Sequence, residues 1–421
     1  MPLSLIGSQL LVAGTGLAMT RFLTPSAKGT FTAAYVVASI AYLCGGLSLP
    51  HAVLLRTASD QRLHIDAGVV RRVGVVVMIL AVVATSALAL AGTVTSASAL
   101  VLLLLLPPWM LAFDLASFRA LAAARGYSRL RIGQAALFGV FTAVALLTTG
   151  SVSALLGALL VSYVVSVVVL APRAGGVDPM LDSVAPEGAV LGAGEFFAWV
   201  RAAHPGIVLG ALASRADLLI VTMTFPPRQI GFYAAASAVP GLLAFMGQGL
   251  GTIFIRRVRV SGDVGRELRV GCWILVSVTA PVAVVLALAA RPVTRLLFGS
   301  AYLPAAGILA VLGLAAVAWN LSSFASQLLL AIDRPDTQTR AQALAVGILV
   351  VSSLVGAATS HLVVPAAGNV IAYTVAAAIQ LRVLVQARSG HSVRARSRHS
   401  VRARSPHSVR ARSGHSVRAR S

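Results

Sequence analysis

Residues 211–257 read ALASRADLLIVTMTFPPRQIGFYAAASAVPGLLAFMGQGLGTIFIRR, and this stretch decides the fold. It predicts two membrane helices joined by a tight turn at residues 226–228. Arg215 and Asp217 are two charged residues inside the first apolar run. If that helix begins near Pro205, Arg215 lies about 15 Å deep, close to the bilayer centre. A charge at that depth costs on the order of 3 kcal/mol to insert, so both residues are candidates for function.

The composition of the whole chain agrees with this stretch. Of 421 residues, 58% are hydrophobic and only 11% are charged, whereas about 25% charged residues is ordinary for a soluble domain. Apolar runs of about twenty residues recur along the chain, which predicts an all-α polytopic membrane protein. The formal net charge of +22 comes mainly from arginines. Because they flank apolar runs, they indicate cytoplasmic loops, and no nucleic acid partner is expected.

The apolar periodicity predicts about twelve transmembrane helices. Arginines are concentrated in the loops that follow the even-numbered helices, while the opposite loops hold only Arg21, Lys28, Arg228, Arg291 and Arg295. This asymmetry places both termini in the cytoplasm. The predicted helices are 3–22, 31–54, 71–92, 98–118, 131–149, 152–171, 205–225, 230–255, 269–290, 303–331, 339–359 and 363–386.

A long loop divides the chain into two parts with six helices each. We predict an N-terminal bundle at 1–171, a cytoplasmic linker at 172–204 and a C-terminal bundle at 205–387. Residues 195–201 of the linker, EFFAWVR, suit a short amphipathic helix at the membrane interface. Because six is even, the two bundles have the same orientation and are expected to be related by a two-fold axis along the membrane normal.

Weak internal repeats support the division. In each half a glycine, Gly29 or Gly231, opens the second helix and is followed by an aromatic residue and alanines. Trp109 and Trp319 also occupy matching helices, four and ten. The segment 388–421 is different, since it repeats a basic octapeptide that has no apolar face. We predict a disordered tail, and a polybasic contact with anionic lipid is its functional alternative.

Motifs for catalysis, nucleotide binding or metal binding are absent from the sequence, so no enzyme activity, cofactor or metal is expected. Polar groups inside helices remain as candidates. Arg215 could contact a phosphate of a substrate, or pair with a carboxylate of another helix. Asp217 could be the partner of a buried arginine, or could bind H⁺ or Na⁺ as a coupling ion. These two residues do not simply pair with each other, because positions i and i+2 point to different sides of a helix.

Three further candidates for a substrate cavity are Asp114, Arg21 and Asn320. Asp114 is a second intramembrane acid, and Arg21 with Lys28 brackets the outer end of the first helix. Asn320 belongs to a polar stripe with Ser322, Ser323 and Gln327, for which helix–helix hydrogen bonding is the competing interpretation. Asn369 near the last turn is expected to be solvated.

Four short motifs resemble the polysaccharide biosynthesis flippases, which belong to the multidrug/oligosaccharidyl-lipid/polysaccharide exporter superfamily. Residues 21–31, RFLTPSAKGTF, resemble the R-x-L-x-P…G-x-(aromatic) stretch at the first turn of these proteins. Residues 215–221, RADLLIV, are similar to R-x-D-x-(apolar) on helix 7. Residues 231–236, GFYAAA, resemble G-x-Y-x-x-A, and residues 297–305, LFGSAYLPA, resemble L-F-G-x-x-(aromatic)-x-x-A. The resemblance extends over residues 1–386.

The resemblance implies two six-helix bundles around a central cavity, as in the multidrug and toxin extrusion (MATE) fold. It also implies alternating-access transport of an undecaprenyl-diphosphate-linked oligosaccharide across the cytoplasmic membrane, with Arg215 near the diphosphate. Two alternatives stay open. One is an ion-coupled multidrug or cation antiporter of the same fold, and the other is a non-transporting scaffold that recruits partners through its arginine-rich tail.

Overall fold

The computed structural model describes residues 2–46, 64–65, 67–90, 92, 94, 96–119, 124–173, 190–191, 204–205, 208–210, 212–261, 263–332 and 334–402. Nearly all of them are helical, which confirms the all-α fold class. The exception is a pair of two-residue parallel strands, β1 at His64–Ile65 and β2 at Val190–Leu191, in which His64 is aligned with Val190.

The first half contains six long helices. The second of them begins where the Thr24 side chain accepts a hydrogen bond from the backbone N–H of Ala27, with Pro25 in the first turn. The sixth continues through a π-helical turn, Ser166–Leu170, into a last α-helical turn, Ala171–Arg173. The helices are α1 (Pro2–Phe22), α2 (Pro25–Gly45), α3 (Ala67–Leu90), α4 (Ala97–Arg119), α5 (Ala124–Thr148) and α6 (Val152–Val165).

The second half repeats this pattern with one addition, a short helix that precedes a 3₁₀ turn at Ser300–Ala305. Gly299 joins the short helix to the 3₁₀ turn with φ of 95°, a conformation that favours glycine. The helices are α7 (Ala216–Thr224), α8 (Pro227–Ser261), α9 (Val264–Leu288), α10 (Ala290–Phe298), α11 (Ala306–Ala331), α12 (Pro335–Thr359) and α13 (Val363–Arg402).

The buried apolar residues separate by half. One large cluster joins α1 to α6 and runs from Met19 to Leu160. Separate clusters hold α7 to α13 together, including one from Val221 to Ala366 and one around Phe324. The halves meet chiefly where α2 packs against α8. Each half therefore has its own core.

The contact between α2 and α8 is reciprocal. A Cβ placed on Gly29 would overlap the backbone carbonyl of Pro227, and one placed on Gly231 would overlap that of Pro25. Each glycine lies four residues after the proline that opens its own helix. The two predicted repeat motifs therefore pack against each other at the helix starts. Nearby, the Tyr302 hydroxyl donates to the carbonyl oxygen of Leu23 at 3.1 Å, so this end of the two halves is closed.

The observed helices differ from the predicted ones at several boundaries. Among the described residues, nine helices are long and apolar enough to cross a membrane. The second helix begins at Pro25 rather than at 31, because Thr24 and Pro25 form its cap. The last helix, predicted to end at 386, continues to Arg402, into the segment predicted to be disordered. Once a helix has formed, adding residues to its end is inexpensive. The predicted amphipathic helix at 195–201 lies outside the described residues.

Candidate functional site

The prediction of a continuous seventh helix at 205–225 is wrong. Residues 208–210, 212 and 213 are helical as predicted, but residues 214 and 215 form a turn, after which α7 begins at Ala216. Arg215 has φ of −146° and ψ of −1°, and its backbone N–H donates to the Leu212 carbonyl oxygen at 2.9 Å. Asp217 falls in the first turn of α7, where a carboxylate interacts favourably with the helix dipole, so a helix start at this point is favoured. Arg215 therefore lies at the start of a helix rather than in its middle.

The side chain of Arg215 crosses from the second half to the first. Its Nη1 donates to Ser39 Oγ at 3.3 Å, and its guanidinium carbon lies 5.3 Å from the centre of the Tyr35 ring. Both partners belong to α2. Within the part of the chain that the structure describes, no carboxylate lies within 4.0 Å of this guanidinium. The alternative in which Arg215 pairs with a carboxylate thus finds no partner there.

This arrangement suits an anion. A guanidinium has five N–H donors in a planar fork, and the hydrogen bond from Arg215 to Ser39 uses one of them. The positive end of the α7 dipole is directed to the same place. A phosphate bound here would meet a permanent cation that already contacts both halves of the protein.

Asp217 lies in a different environment, although it is only two residues away. It is 7% exposed, and its Oδ2 accepts hydrogen bonds from the Tyr233 hydroxyl at 2.5 Å and from Asn369 Nδ2 at 2.8 Å. Asn369 Nδ2 also lies 3.2 Å from the Tyr233 hydroxyl oxygen. The interpretation of Asp217 as the partner of a buried arginine is therefore wrong for the described residues. Its partners come from α8 and α13.

Sequence reasoning missed Asn369. It was expected to be solvated, but it is 6% exposed and lies in the second turn of α13, where its Nδ2 also donates to the Pro365 carbonyl at 3.0 Å. An amide within an apolar run was the available signal, since a buried polar group must find a partner. The cluster of Asp217, Tyr233 and Asn369 offers oxygen atoms and no cationic side chain. Groups of three or more His, Cys, Asp or Glu able to hold a metal are not found among the described residues.

Asp114 belongs to a third environment, inside the first half. Its Oδ1 accepts a hydrogen bond from Arg131 Nη2 at 2.7 Å, and its Oδ2 accepts one from the Tyr42 hydroxyl. The Arg131 guanidinium lies 5.0 Å from the centre of the Phe113 ring. This carboxylate is therefore neutralised by an arginine of its own bundle, which favours a structural role.

Arg21 and Arg215 are not brought together. Arg21 is exposed at the closed end, and its Nη1 donates to the Arg295 carbonyl at 3.4 Å. Arg215 contacts α2 at Tyr35, ten residues beyond Pro25, which is about 15 Å along a helix. Lys28 is buried in the first turn of α2, with its Nζ 5.9 Å from the centre of the Phe31 ring. These cations line one end of the interface between the halves, not the level of Arg215.

The side chain of Asn320 is hydrogen-bonded to other groups of the protein. It is fully buried, its Oδ1 accepts a hydrogen bond from the backbone N–H of Gly247 at 2.7 Å, and its Nδ2 donates to the Ala316 carbonyl at 2.8 Å. Ser322 likewise donates to Gln380 Oε1 at 3.0 Å. Helix–helix hydrogen bonding therefore accounts for these two members of the predicted polar stripe. Ser323 and Gln327, by contrast, remain partly exposed.

Comparison with known proteins identifies the fold. No family model matches the sequence, and no curated protein matches it. Among solved structures, the chain is similar to the lipid II flippase MurJ in its inward closed conformation, with TM-score 0.67 and 11% identity over 93% of this chain and 90% of that one.

It is also similar to an inward-facing multidrug resistance MATE family transporter of the MOP superfamily, with TM-score 0.60 and 15% identity over 91% of this chain and 95% of that one. The outward-facing conformation of such a transporter matches with TM-score 0.60 and 15% identity over 93% of this chain and 95% of that one. The fold is therefore the one shared by MurJ and the MATE transporters, and this chain is a multi-pass membrane protein.

Proposed function

We propose that this chain is a flippase that moves an undecaprenyl-diphosphate-linked oligosaccharide across the cytoplasmic membrane by alternating access. The observation that carries the proposal is Arg215, a cation at a helix break between the two bundles with no carboxylate partner among the described residues. A guanidinium can bind a phosphate group through two parallel hydrogen bonds, and a diphosphate offers such groups. The prenyl chain would stay in the bilayer while the head group passes between the bundles.

We further propose that the chain divides into bundles at 1–171 and 205–387, as this mechanism requires. The halves have separate cores and pack together at the glycine crossing, so they can move as two bodies. Opening would separate Gly29 from Pro227 and Gly231 from Pro25. Arg215, which already touches α2 through Tyr35 and Ser39, would exchange those contacts for the substrate.

Asp217 is the residue we assign to coupling. A buried carboxylate that is hydrogen-bonded by Tyr233 and Asn369, with no arginine or lysine beside it in the described residues, can take up H⁺ or Na⁺. Such a site also suits the antiporter alternative. The permanent cation at Arg215 favours an anionic substrate over a cationic drug, so we place the flippase first.

The test is transport in liposomes that contain the purified protein and a fluorescent short-chain prenyl diphosphate disaccharide. We expect Arg215→Ala to reduce the rate of transbilayer movement by at least about tenfold, since a charge-assisted contact with the substrate is lost. The protein should still accumulate and retain its melting temperature. Arg228→Ala is the matched control, because Arg228 is exposed in the first turn of α8.

Normal movement of the substrate by Arg215→Ala would refute the role of the cavity arginine. If that variant instead fails to accumulate in the membrane, Arg215 has a structural role. Transport of a cationic dye, unaffected by the prenyl diphosphate, would favour the antiporter.

A further inference from the structure

Helix α11 has two partly exposed stripes of opposite character. One follows residues 307, 310, 311, 314, 317, 318 and 321, all of which are apolar or glycine. The other contains Trp319, Ser323 and Gln327, which are spaced four residues apart and therefore lie above one another on a helix. A stripe of purely apolar residues on a membrane helix suits lipid. The stripe of Trp319, Ser323 and Gln327, named here the α11 stripe, does not.

Hydrogen bonds on either side of the α11 stripe show which way it faces. On one side, Ser322 and Ser326 exchange hydrogen bonds with Gln380 of α13, at 3.0 and 2.9 Å. On the other side, Asn320 accepts from the backbone of Gly247 in α8. Trp319 and Ser323 lie between these two lines of contact, on the face of α11 opposite to the apolar stripe. The α11 stripe therefore faces the interior of the protein, between α13 and α8.

The position of Trp319 is set by a second aromatic side chain. Its ring stacks on Tyr373 with the ring centres 5.3 Å apart and an interplanar angle of 7°. Tyr373 is 3% exposed, and its hydroxyl donates to the Ala213 carbonyl oxygen. Ala213 is two residues before Arg215 in the broken segment that precedes α7. The stacked pair thus ties the indole to the segment that carries the candidate phosphate contact.

The stripe also has unused hydrogen-bonding groups. Within the described part of the chain, no hydrogen bond is made by the Trp319 indole N–H, the Ser323 hydroxyl or the Gln327 amide. All three side chains are partly exposed. A buried polar group without a partner would be costly, so these groups are adapted to water or to a polar ligand. Eight residues of helix set them about 12 Å from end to end.

We infer that the α11 stripe is the glycan-binding surface of the substrate site, with Trp319 as a platform for the apolar face of a sugar ring. The indole offers a flat apolar face and an N–H, while Ser323 and Gln327 offer a hydroxyl and an amide for sugar hydroxyl groups. The inference rests on the proposed function, because Arg215 holds the diphosphate and the α11 stripe holds the sugar attached to it.

The test separates the two subsites with two probes. One is citronellyl diphosphate, which has no sugar, and the other is the same diphosphate carrying N-acetylglucosamine or galactose. Binding to the full-length protein in nanodiscs is measured by isothermal titration calorimetry. We expect Trp319→Leu to weaken binding of a sugar-bearing probe by about tenfold and binding of the sugar-free probe by less than about twofold. Trp319→Phe, which keeps an aromatic face, should recover most of the loss.

Two controls complete the design. Trp273→Leu removes a tryptophan that is 73% exposed on α9 and should leave the binding of both probes unchanged. Arg215→Ala should weaken the binding of both probes. If Trp319→Leu weakens the two probes equally, or affects neither, the glycan surface is refuted while the flippase proposal stands. If the unaltered protein binds neither probe, the proposed function fails, and the glycan surface fails with it.

Discussion

Asp217 and its neighbour Arg215 are both charged, but they lie in different surroundings. The carboxylate of Asp217 is bonded to Tyr233 and Asn369 inside the second half, while Arg215 reaches towards the first. The separation comes from the helix break, which turns Arg215 away from the helix that contains Asp217. A permanent cation and a group able to take up an ion therefore lie on the same short segment. Under the proposed function, binding of the substrate at Arg215 would be coupled to binding of an ion at Asp217.

We expect Asp217→Asn to abolish the response of transport to an imposed H⁺ or Na⁺ gradient, while passive equilibration of the substrate continues. The amide keeps the shape and can still accept a hydrogen bond, but it cannot gain or lose the charge. The measurement is flipping in liposomes with and without each gradient. Asp114→Asn is the matched control. It should leave the gradient response intact and lower stability by on the order of 1 kcal/mol, because the Arg131 pair is partly exposed.

An undiminished gradient response in Asp217→Asn would remove this residue from the coupling mechanism. Tyr233→Phe helps to interpret the result, because it removes one hydrogen bond from Oδ2 and keeps the carboxylate. It is expected to shift the gradient response without abolishing it.

Asn320 gives a second prediction at this scale. Asn320→Leu removes the hydrogen bond from the Gly247 N–H to Asn320 and places a branched side chain against the backbone of α8. We expect a loss of roughly 2–3 kcal/mol in stability, seen as a lower melting temperature in detergent. Ser323→Ala on the same helix should change the melting temperature little, because Ser323 is partly exposed. Equal stability of the two variants would contradict the role given to Asn320.

At the scale of elements, the sequence predicted long helices well and interruptions poorly. The apolar runs of α1, α6 and α11 were located to within a few residues, since hydrophobicity and length decide a spanning helix. The break before α7 was missed, because Ser214 and Arg215 lie in a run whose average hydropathy still indicates one helix. The short helix α10 was likewise merged into a loop.

The crossing of α2 and α8 leads to a prediction of its own. Gly29→Ala places a methyl group against the Pro227 carbonyl, a backbone atom that cannot move without moving α8. We therefore expect this variant to favour conformations in which the helix starts are apart. Spin labels near the two helix starts should report longer distances by double electron–electron resonance.

Gly241→Ala is the matched control, because Gly241 lies on α8 and a Cβ there meets nothing within 4 Å. It should give the distances of the unaltered protein. If Gly29→Ala gives the same distances as this control, the crossing does not hold that end closed.

At the scale of the whole molecule, a division into two halves could be proposed from spacing and charge. The partners of the site residues could not. Asn369 lies 152 residues from Asp217 in the chain, and Ser39 lies 176 residues from Arg215. Such pairs depend on how helices from distant parts of the chain pack, and a single sequence contains no signal for that. Asn320 is an example, because a polar residue in a membrane helix can equally well line a cavity or bond to another helix.

Removal of residues 388–421 tests the scaffold alternative. The last described buried side chain of α13 is Leu384, so the truncation leaves the packed part of that helix intact. We expect the truncated protein to keep its melting temperature and its rate of transbilayer movement within about twofold. A protein that acts by recruiting partners through the basic tail would lose function instead. Loss of transport in a stably folded truncated protein would contradict this expectation.

The paired proline and glycine at the crossing have one more consequence. An isologous dimer uses the same surface twice, once from each subunit. A single six-helix unit that carried one such proline and one such glycine would meet its own copy with the same geometry, because Pro25 faces Gly231 as Pro227 faces Gly29. Expressed as two separate polypeptides, the halves of this chain therefore already possess the self-complementary contact through which they could reassemble.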